Sequence, residues 1–128
     1  MGEIERDELM FFDKSPAALP IYLKLREKLP EICPETVIQV KKTQISLINR
    51  HIYGAVSFLA ARRKALRPDP FITVTIGLGQ RLGSPRIDAA SEPYPGRWTH
   101  HLVIGSPDEI DDELAGWLRE AAVFAAVK

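Results

Sequence analysis

Phe71 to Leu78 (FITVTIGL) alternates strictly, with Ile72, Val74, Ile76 and Leu78 opposed to Phe71, Thr73, Thr75 and Gly77. A period of two predicts an antiparallel strand with one buried and one wetter face. Trp98 to Ile104 repeats it, with Trp98, His100, Leu102 and Ile104 on one side and Thr99, His101 and Val103 on the other. Three shorter β-rich runs come earlier: Glu35–Lys42, Ile45–Asn49 and Tyr53–Ala60, with Asn49–Ile52 as a turn. The ends of the chain change period. Ile21, Leu25, Leu29 and Ile32 recur at helical spacing after a Ser15-Pro16 start, and the helix is expected to stop near Glu31. Pro20 lies one turn inside that helix and conflicts with it. Before it, Asp7–Phe12 reads as one or two helical turns with an apolar plug, after a frayed Met1–Glu5. At the other end, Ser106, Pro107, Asp108 and Glu109 read as a capping box with proline at the first helical position. Ile110, Leu114, Trp117, Leu118, Ala121 and Ala125 then make one apolar stripe.

Two stretches carry no such period. Ala61–Pro70 is a basic, proline-bounded loop. Gly79–Gly96 holds three glycines and three prolines and reads as loop, with a short helical turn at Ile87–Ser91. Helix, strands, helix is the order of an α+β fold. The expectation is a single domain, residues 1–128. It holds a four- or five-stranded, mostly antiparallel sheet between an N-terminal and a C-terminal helix, both on one face.

Composition adds little to this. The chain has 128 residues, 45% hydrophobic and 27% charged, ordinary values that exclude disordered and fibrous classes. Its net charge is zero, yet from Glu35 to Gly105 ten basic residues face four acids, a local excess of six. Cys33 is the single cysteine, which excludes an internal disulfide and suits a reducing compartment. No run approaches the ~20 apolar residues of a membrane span. The acidic N-terminus is unlike a signal peptide, so a cytoplasmic location is expected.

The run EPYPGRWTHHLVIGSPDEIDDELAGWLREA, with FFDKSPAALPIYLKLREKL and VKKTQISL upstream, resembles a small bacterial family catalogued as a domain of unknown function. The resemblance covers nearly the whole chain and implies a compact α/β domain. It also implies membership of a family found alone or appended to other domains, some nuclease-like and some labelled as transport-related. It implies no catalytic residues.

The chemistry-bearing residues are few. His100 and His101 are neighbours in a strand and therefore point to opposite faces. His100 shares the Trp98, Leu102 and Ile104 side and is expected to be a buried, hydrogen-bonded histidine; Trp98, Ser106 and Trp117 are likewise expected to be structural residues. His101 shares the Thr99 side and is the candidate base or ligand near neutral pH. Lys41, Thr43, Gln44 and Arg97 are candidates for an anion-binding rim beside it. Ligand sets for a metal, phosphate-cradling loops and dinucleotide fingerprints are missing from the sequence, so neither metal nor cofactor is expected. GLGQRLGS, Gly77 to Ser84, follows a strand but precedes no helix pattern, and reads as a loop with positive φ.

The leading expectation is a non-catalytic binding or interaction module acting through the open sheet face and the 79–96 loop. Its partner would be an unidentified protein, a small molecule or a second copy of the chain. Phe58 and Phe71, if exposed, would favour association. The alternatives are an enzyme or nuclease-accessory domain using His101 with Lys41 and Arg97, and weak nucleic-acid binding through the basic 62–67 loop. Zero net charge and sparse aromatic interleaving argue against nucleic acid.

Overall fold

The computed structural model describes residues 3–127. Along the chain these form α1 (Arg6–Phe11), α2 (Leu19–Ile32), β1 (Val37–Val40), β2 (Gln44–Ile48), β3 (Ile52–Ser57), β4 (Ile72–Leu78), β5 (Ala89–Tyr94), β6 (Arg97–Ile104) and α3 (Asp112–Val127). The strands make one sheet in the order β1-β2-β3-β4-β6-β5, with every neighbouring pair antiparallel. The sheet thus has six strands among the described residues, where four or five were expected. The added strand, β5, occupies part of the stretch expected to be loop and replaces the helical turn at Ile87–Ser91. It is almost wholly exposed, so no hydrophobic period marks it. Pro93 is compatible with it because β5 is an edge strand, and its register with β6 breaks between Ser91 and Tyr94.

Register aligns the core in rows. Ile45, Val56, Val74 and Leu102 are successive partners across β2, β3, β4 and β6, all at most 1% exposed. Burying each contributes roughly 1.5–3 kcal/mol. The next row runs Leu47, Gly54, Ile76, His100. Gly54 lets α3 approach there, since an added Cβ would lie 3.1 Å from Leu118 Cδ2 and 3.2 Å from the Thr75 carbonyl. α3 crosses β3 and β4, and α2 packs beside α3 with Leu25 and Leu29 fully buried in the same core. Both long helices therefore cover one face.

A β-bulge between β2 and β3 makes Tyr53 the extra residue between the Leu47–Gly54 and Ile48–Ile52 pairs. Its hydroxyl lies 2.7 Å from Thr36 Oγ1, which itself donates to the Cys33 carbonyl that ends α2. The β2–β3 turn grips the other helix. Asn49 Nδ2 donates to the Ala122 carbonyl at 2.7 Å, and His51 Nδ1 lies 2.9 Å from that of Ala125.

Three local expectations are corrected. Pro20 does not interrupt a helix, because a 3₁₀ turn at Pro16–Ala18 precedes α2 and leaves Pro20 in the first turn, where its missing N–H has no partner to lose. α3 starts at Asp112 and not after Ser106, whose side chain caps nothing. Pro107–Glu109 is a 3₁₀ turn, and Asp111 is the cap: its Oδ1 accepts from the Leu114 N–H at 3.0 Å. Glu109 turns back to accept from the Gly105 N–H. Ile110 is buried but precedes the helix, and Trp117 is half-buried beneath the Arg86 guanidinium at 5.7 Å.

The expected fraying at Met1–Glu5 falls partly on Met1 and Gly2, which lie outside the described residues. Glu3 and Glu5 are held. Arg26 Nη2 donates to the Glu3 carbonyl at 2.8 Å, and the Glu5 N–H donates to Glu8 Oε2 at 2.7 Å. Glu8 is 1% exposed and also accepts from Tyr22 Oη and, at 2.8 Å, from Arg26 Nε. Burial pushes its carboxyl up, but these bonds outweigh it and hold it below the ordinary range. Burial and the Glu8 carboxylate together push the Tyr22 phenol well up.

Candidate functional site

The face of the sheet away from α2 and α3 carries mostly small side chains, hydroxyls among them, around His101. Register places Ser46, Ala55, Thr75, His101 and Ala89 in one row. Ser57, Thr73 and Val103 form the next, and Gly77, Thr99 and Ser91 a third. Strands whose outward positions carry only short side chains leave a depression between their longer neighbours. An open cleft of about 530 Å³ results, lined by Lys14, Thr43, Gln44, Ser57, Phe58, Leu59, Thr75, Thr99 and His101. A second hollow of about 180 Å³ shares Gln44, Thr75 and Thr99 with it and extends over Ala55 and Gly77.

The walls are fixed from several directions. Thr73 Oγ1 donates to the Leu59 carbonyl at 2.6 Å, which pins the chain leaving β3 onto β4. Phe58 stacks on Phe11 at 5.5 Å and meets Phe12 and Phe71 edge-on. Phe58 and Phe71 are thus engaged within the chain and only half-exposed. The Lys14 ammonium sits 5.0 Å from the Phe58 ring centre and 5.6 Å from that of Phe11, a cation–π arrangement that holds it at the rim. Lys14 makes no ion pair among the described residues.

On the floor, His101 Nδ1 lies 2.8 Å from Thr75 Oγ1. Its Nε2 has no protein partner among the described residues, and no buried side-chain nitrogen or oxygen there is unsatisfied, so Nε2 meets the cleft. If the Thr75 hydroxyl donates, Nε2 carries the proton and offers a donor; if it accepts, Nε2 offers an acceptor. Burial, reinforced by the neighbouring His100, holds the His101 ring below the usual histidine range and so keeps it neutral at pH 7.

His100 points the other way and is fully buried. Its Nε2 accepts from the Leu82 N–H at 2.9 Å, which fixes the proton on Nδ1, 3.3 Å from the Ile76 carbonyl. Burial lowers its pKa; the Ile76 carbonyl opposes this and Arg81 reinforces it.

Of the residues singled out as a rim, Thr43, Gln44 and His101 line one cleft, whereas Lys41 and Arg97 do not. Lys41 is exposed at the β1–β2 turn, its N–H bonded to the Gln44 carbonyl. Arg97 starts β6, four residues or roughly 13 Å of strand from His101. The cleft lining contains no carboxylate, so His101 has no acidic partner there. Among the described residues no cluster of His, Cys, Asp and Glu suits a metal. Sequence reasoning missed Lys14 and Ser57 and read Phe58 only as an association residue; the signal for the cleft was the run of small residues at alternate, outward positions of successive strands.

The two stretches expected to be loops are fastened to the rest of the chain. Arg62 makes a two-pronged pair with Asp88 at 2.9 and 3.2 Å and donates to the Val103 carbonyl. The Val103 N–H donates in turn to Asp88 Oδ2 at 2.7 Å. An added Cβ on Gly105 would lie 2.5 Å from Pro68 Cγ, so the same loop packs closely on the end of β6. Arg86 binds Asp111, Glu113 and the Glu109 carbonyl at the start of α3. Gly79–Asp88 therefore lies with His100 and α3, and only the β5 residues Ala89 and Ser91 flank the polar face.

Residues 10–124 match the family described as Domain of unknown function (DUF5655), and the chain belongs to that family. No curated protein and no solved structure matches it. No helix among the described residues is long and apolar enough to cross a membrane.

Proposed function

We propose that this member of the DUF5655 family is a small non-catalytic binding module that recognises a small molecule in the cleft on the polar face of its sheet. The observation that carries the reading is the state of His101. One ring nitrogen is tied to Thr75, the other opens onto a walled cleft, and the ring stays neutral. A volume of about 530 Å³ lies within the range of small-molecule sites. Neighbouring hydroxyls on rigid strands supply orientation, and the Phe58–Leu59 wall supplies apolar contact. The lining holds no carboxylate to orient His101 or share a proton with it, which supports a binding role over acid–base chemistry.

An amide-resolved NMR screen with fragments of mixed charge tests this. Shifts should cluster on Gln44, Thr75, Thr99 and His101 and disappear in Thr99→Tyr, which fills the cleft from the exposed side of β6. Hits that map elsewhere, or that survive Thr99→Tyr, would overturn the reading.

A further inference from the structure

The cleft has an imbalance of charge that describes its occupant. Its single charged lining residue is Lys14, which has ring contacts but no carboxylate partner among the described residues. Ser57 Oγ already accepts from the Leu59 N–H at 3.2 Å, so the Ser57 proton is free to donate. The Thr43 and Thr99 hydroxyls make no protein bond among the described residues. Gln44 gives one of its two amide protons to Ser46 Oγ at 2.8 Å, which leaves its second N–H and its Oε1 to the cleft. These hydroxyls and the Gln44 amide can donate as well as accept, and the one formal charge is positive. A cleft whose only formal charge is a cation without a carboxylate nearby favours a ligand that brings a negative charge and acceptors.

The apolar side is equally defined. Phe58 is locked by Phe11, Phe12 and Phe71, so one wall is a rigid aromatic edge, and Leu59 beside it is 49% exposed. From these features we infer that the ligand is a small organic anion, a carboxylate or phosphate monoester, whose acidic group is held between Lys14 and the strand hydroxyls while its apolar part rests on Phe58 and Leu59. This rests on the cleft being the binding site. The acidic group needs no proton transfer to bind, because His101 enters as a neutral partner.

The test uses four probes of similar size on the full chain: benzoate, phenyl phosphate, benzyl alcohol and benzamidine. Binding is followed by amide shifts of Thr75, Thr99 and His101, in the wild type and in Lys14→Gln. Lys14 is exposed on a turn, so the substitution leaves the fold intact, which a far-ultraviolet spectrum verifies. The expected result is saturable binding of benzoate, phenyl phosphate or both, absence of benzamidine binding, and a loss of roughly tenfold in Lys14→Gln. That is the size of one charge-assisted hydrogen bond. Preference for phenyl phosphate over benzoate, or the reverse, assigns the acid. If benzyl alcohol or benzamidine binds the cleft as well as the anions do, or Lys14→Gln changes nothing, the anion assignment is wrong while the cleft remains a site. If none of the four moves these resonances, the anion assignment fails too. Only hits elsewhere in the broader screen would then remove the cleft itself.

Discussion

His100 offers a sharp test, because it is fully buried on β6 with both nitrogens committed and lies back to back with His101. Replacing it by alanine removes a fully buried ring and orphans the Leu82 N–H. The orphaned donor costs about 1–3 kcal/mol and the cavity adds to it, so a total of about 3–5 kcal/mol is expected. That is a large share of the stability of an ordinary domain. His100→Gln keeps an acceptor within reach of Leu82 and should cost about half as much.

The same geometry fixes a pH dependence. Protonated His100 would set an N–H against the Leu82 N–H, and burial lowers its folded pKa below that of the unfolded chain. The unfolded chain then binds more protons, so the contribution is fully present above the unfolded pKa of about 6.5 and is lost as pH falls. A ring that stays neutral throughout forfeits about 2 kcal/mol between pH 7 and 5. His101, lowered in the same direction, adds to the slope, while the lowered carboxyls Glu8 and Asp111 act in the same sense only at more acid pH. Urea unfolding at stepped pH, followed by the fluorescence of Trp98 and Trp117, reads both effects. A stability that is flat from pH 7 to 5 would refute the argument. So would an unchanged slope in His100→Gln, or equal costs for the alanine and glutamine variants.

Two further outcomes follow. Asp111→Ala should lower stability by about 1 kcal/mol through loss of the α3 cap, whereas Ser106→Ala should stay within about 0.5 kcal/mol; the opposite ranking in thermal unfolding would restore the cap to Ser106. Glu8→Ala should cost about 3–5 kcal/mol, because it removes the carboxylate of a largely buried ion pair with Arg26 and the acceptor of the Tyr22 hydroxyl, and a urea midpoint near wild type would show that the α1 anchor contributes little.

Much of this architecture could be read directly from periodicity. β4 and β6 alternate as expected because each has a truly dry face, and the helical stripes of α2 and α3 follow from the same core. What escaped reading has physical causes. β5 pairs only with β6 and buries almost nothing, so its residues, Pro93 among them, obey turn chemistry and not a strand period. Ser106 and Asp111 both offer cap signals within six residues, and the choice depends on Arg86, which reaches Asp111 from a distant loop. The Tyr53 bulge exists to satisfy a long-range contact with Thr36 and leaves no local trace. At the site, His101, Thr43 and Gln44 were recognisable by residue type. Lys14 was not, because it follows α1, far along the chain from the strands, and reaches the cleft only through the folded Phe11–Phe58 cluster.

The pair formed by Asp88 and Arg62 bears on how the protein behaves when crowded. Beyond β5, the edge of β6 would expose the Val103 N–H and carbonyl to any passing strand; the carboxylate and the guanidinium occupy both. β5 itself offers an edge broken by Pro93 and by its register shift, a poor template for docking. What is left for strand-to-strand addition is β1, four residues long, reading VIQV, with Val37 59% exposed. Pro34 precedes it and Lys41 and Lys42 follow, a proline and two like charges that act as gatekeepers against fibril growth. Neutralising those two lysines would open the most direct route from this fold to an insoluble one.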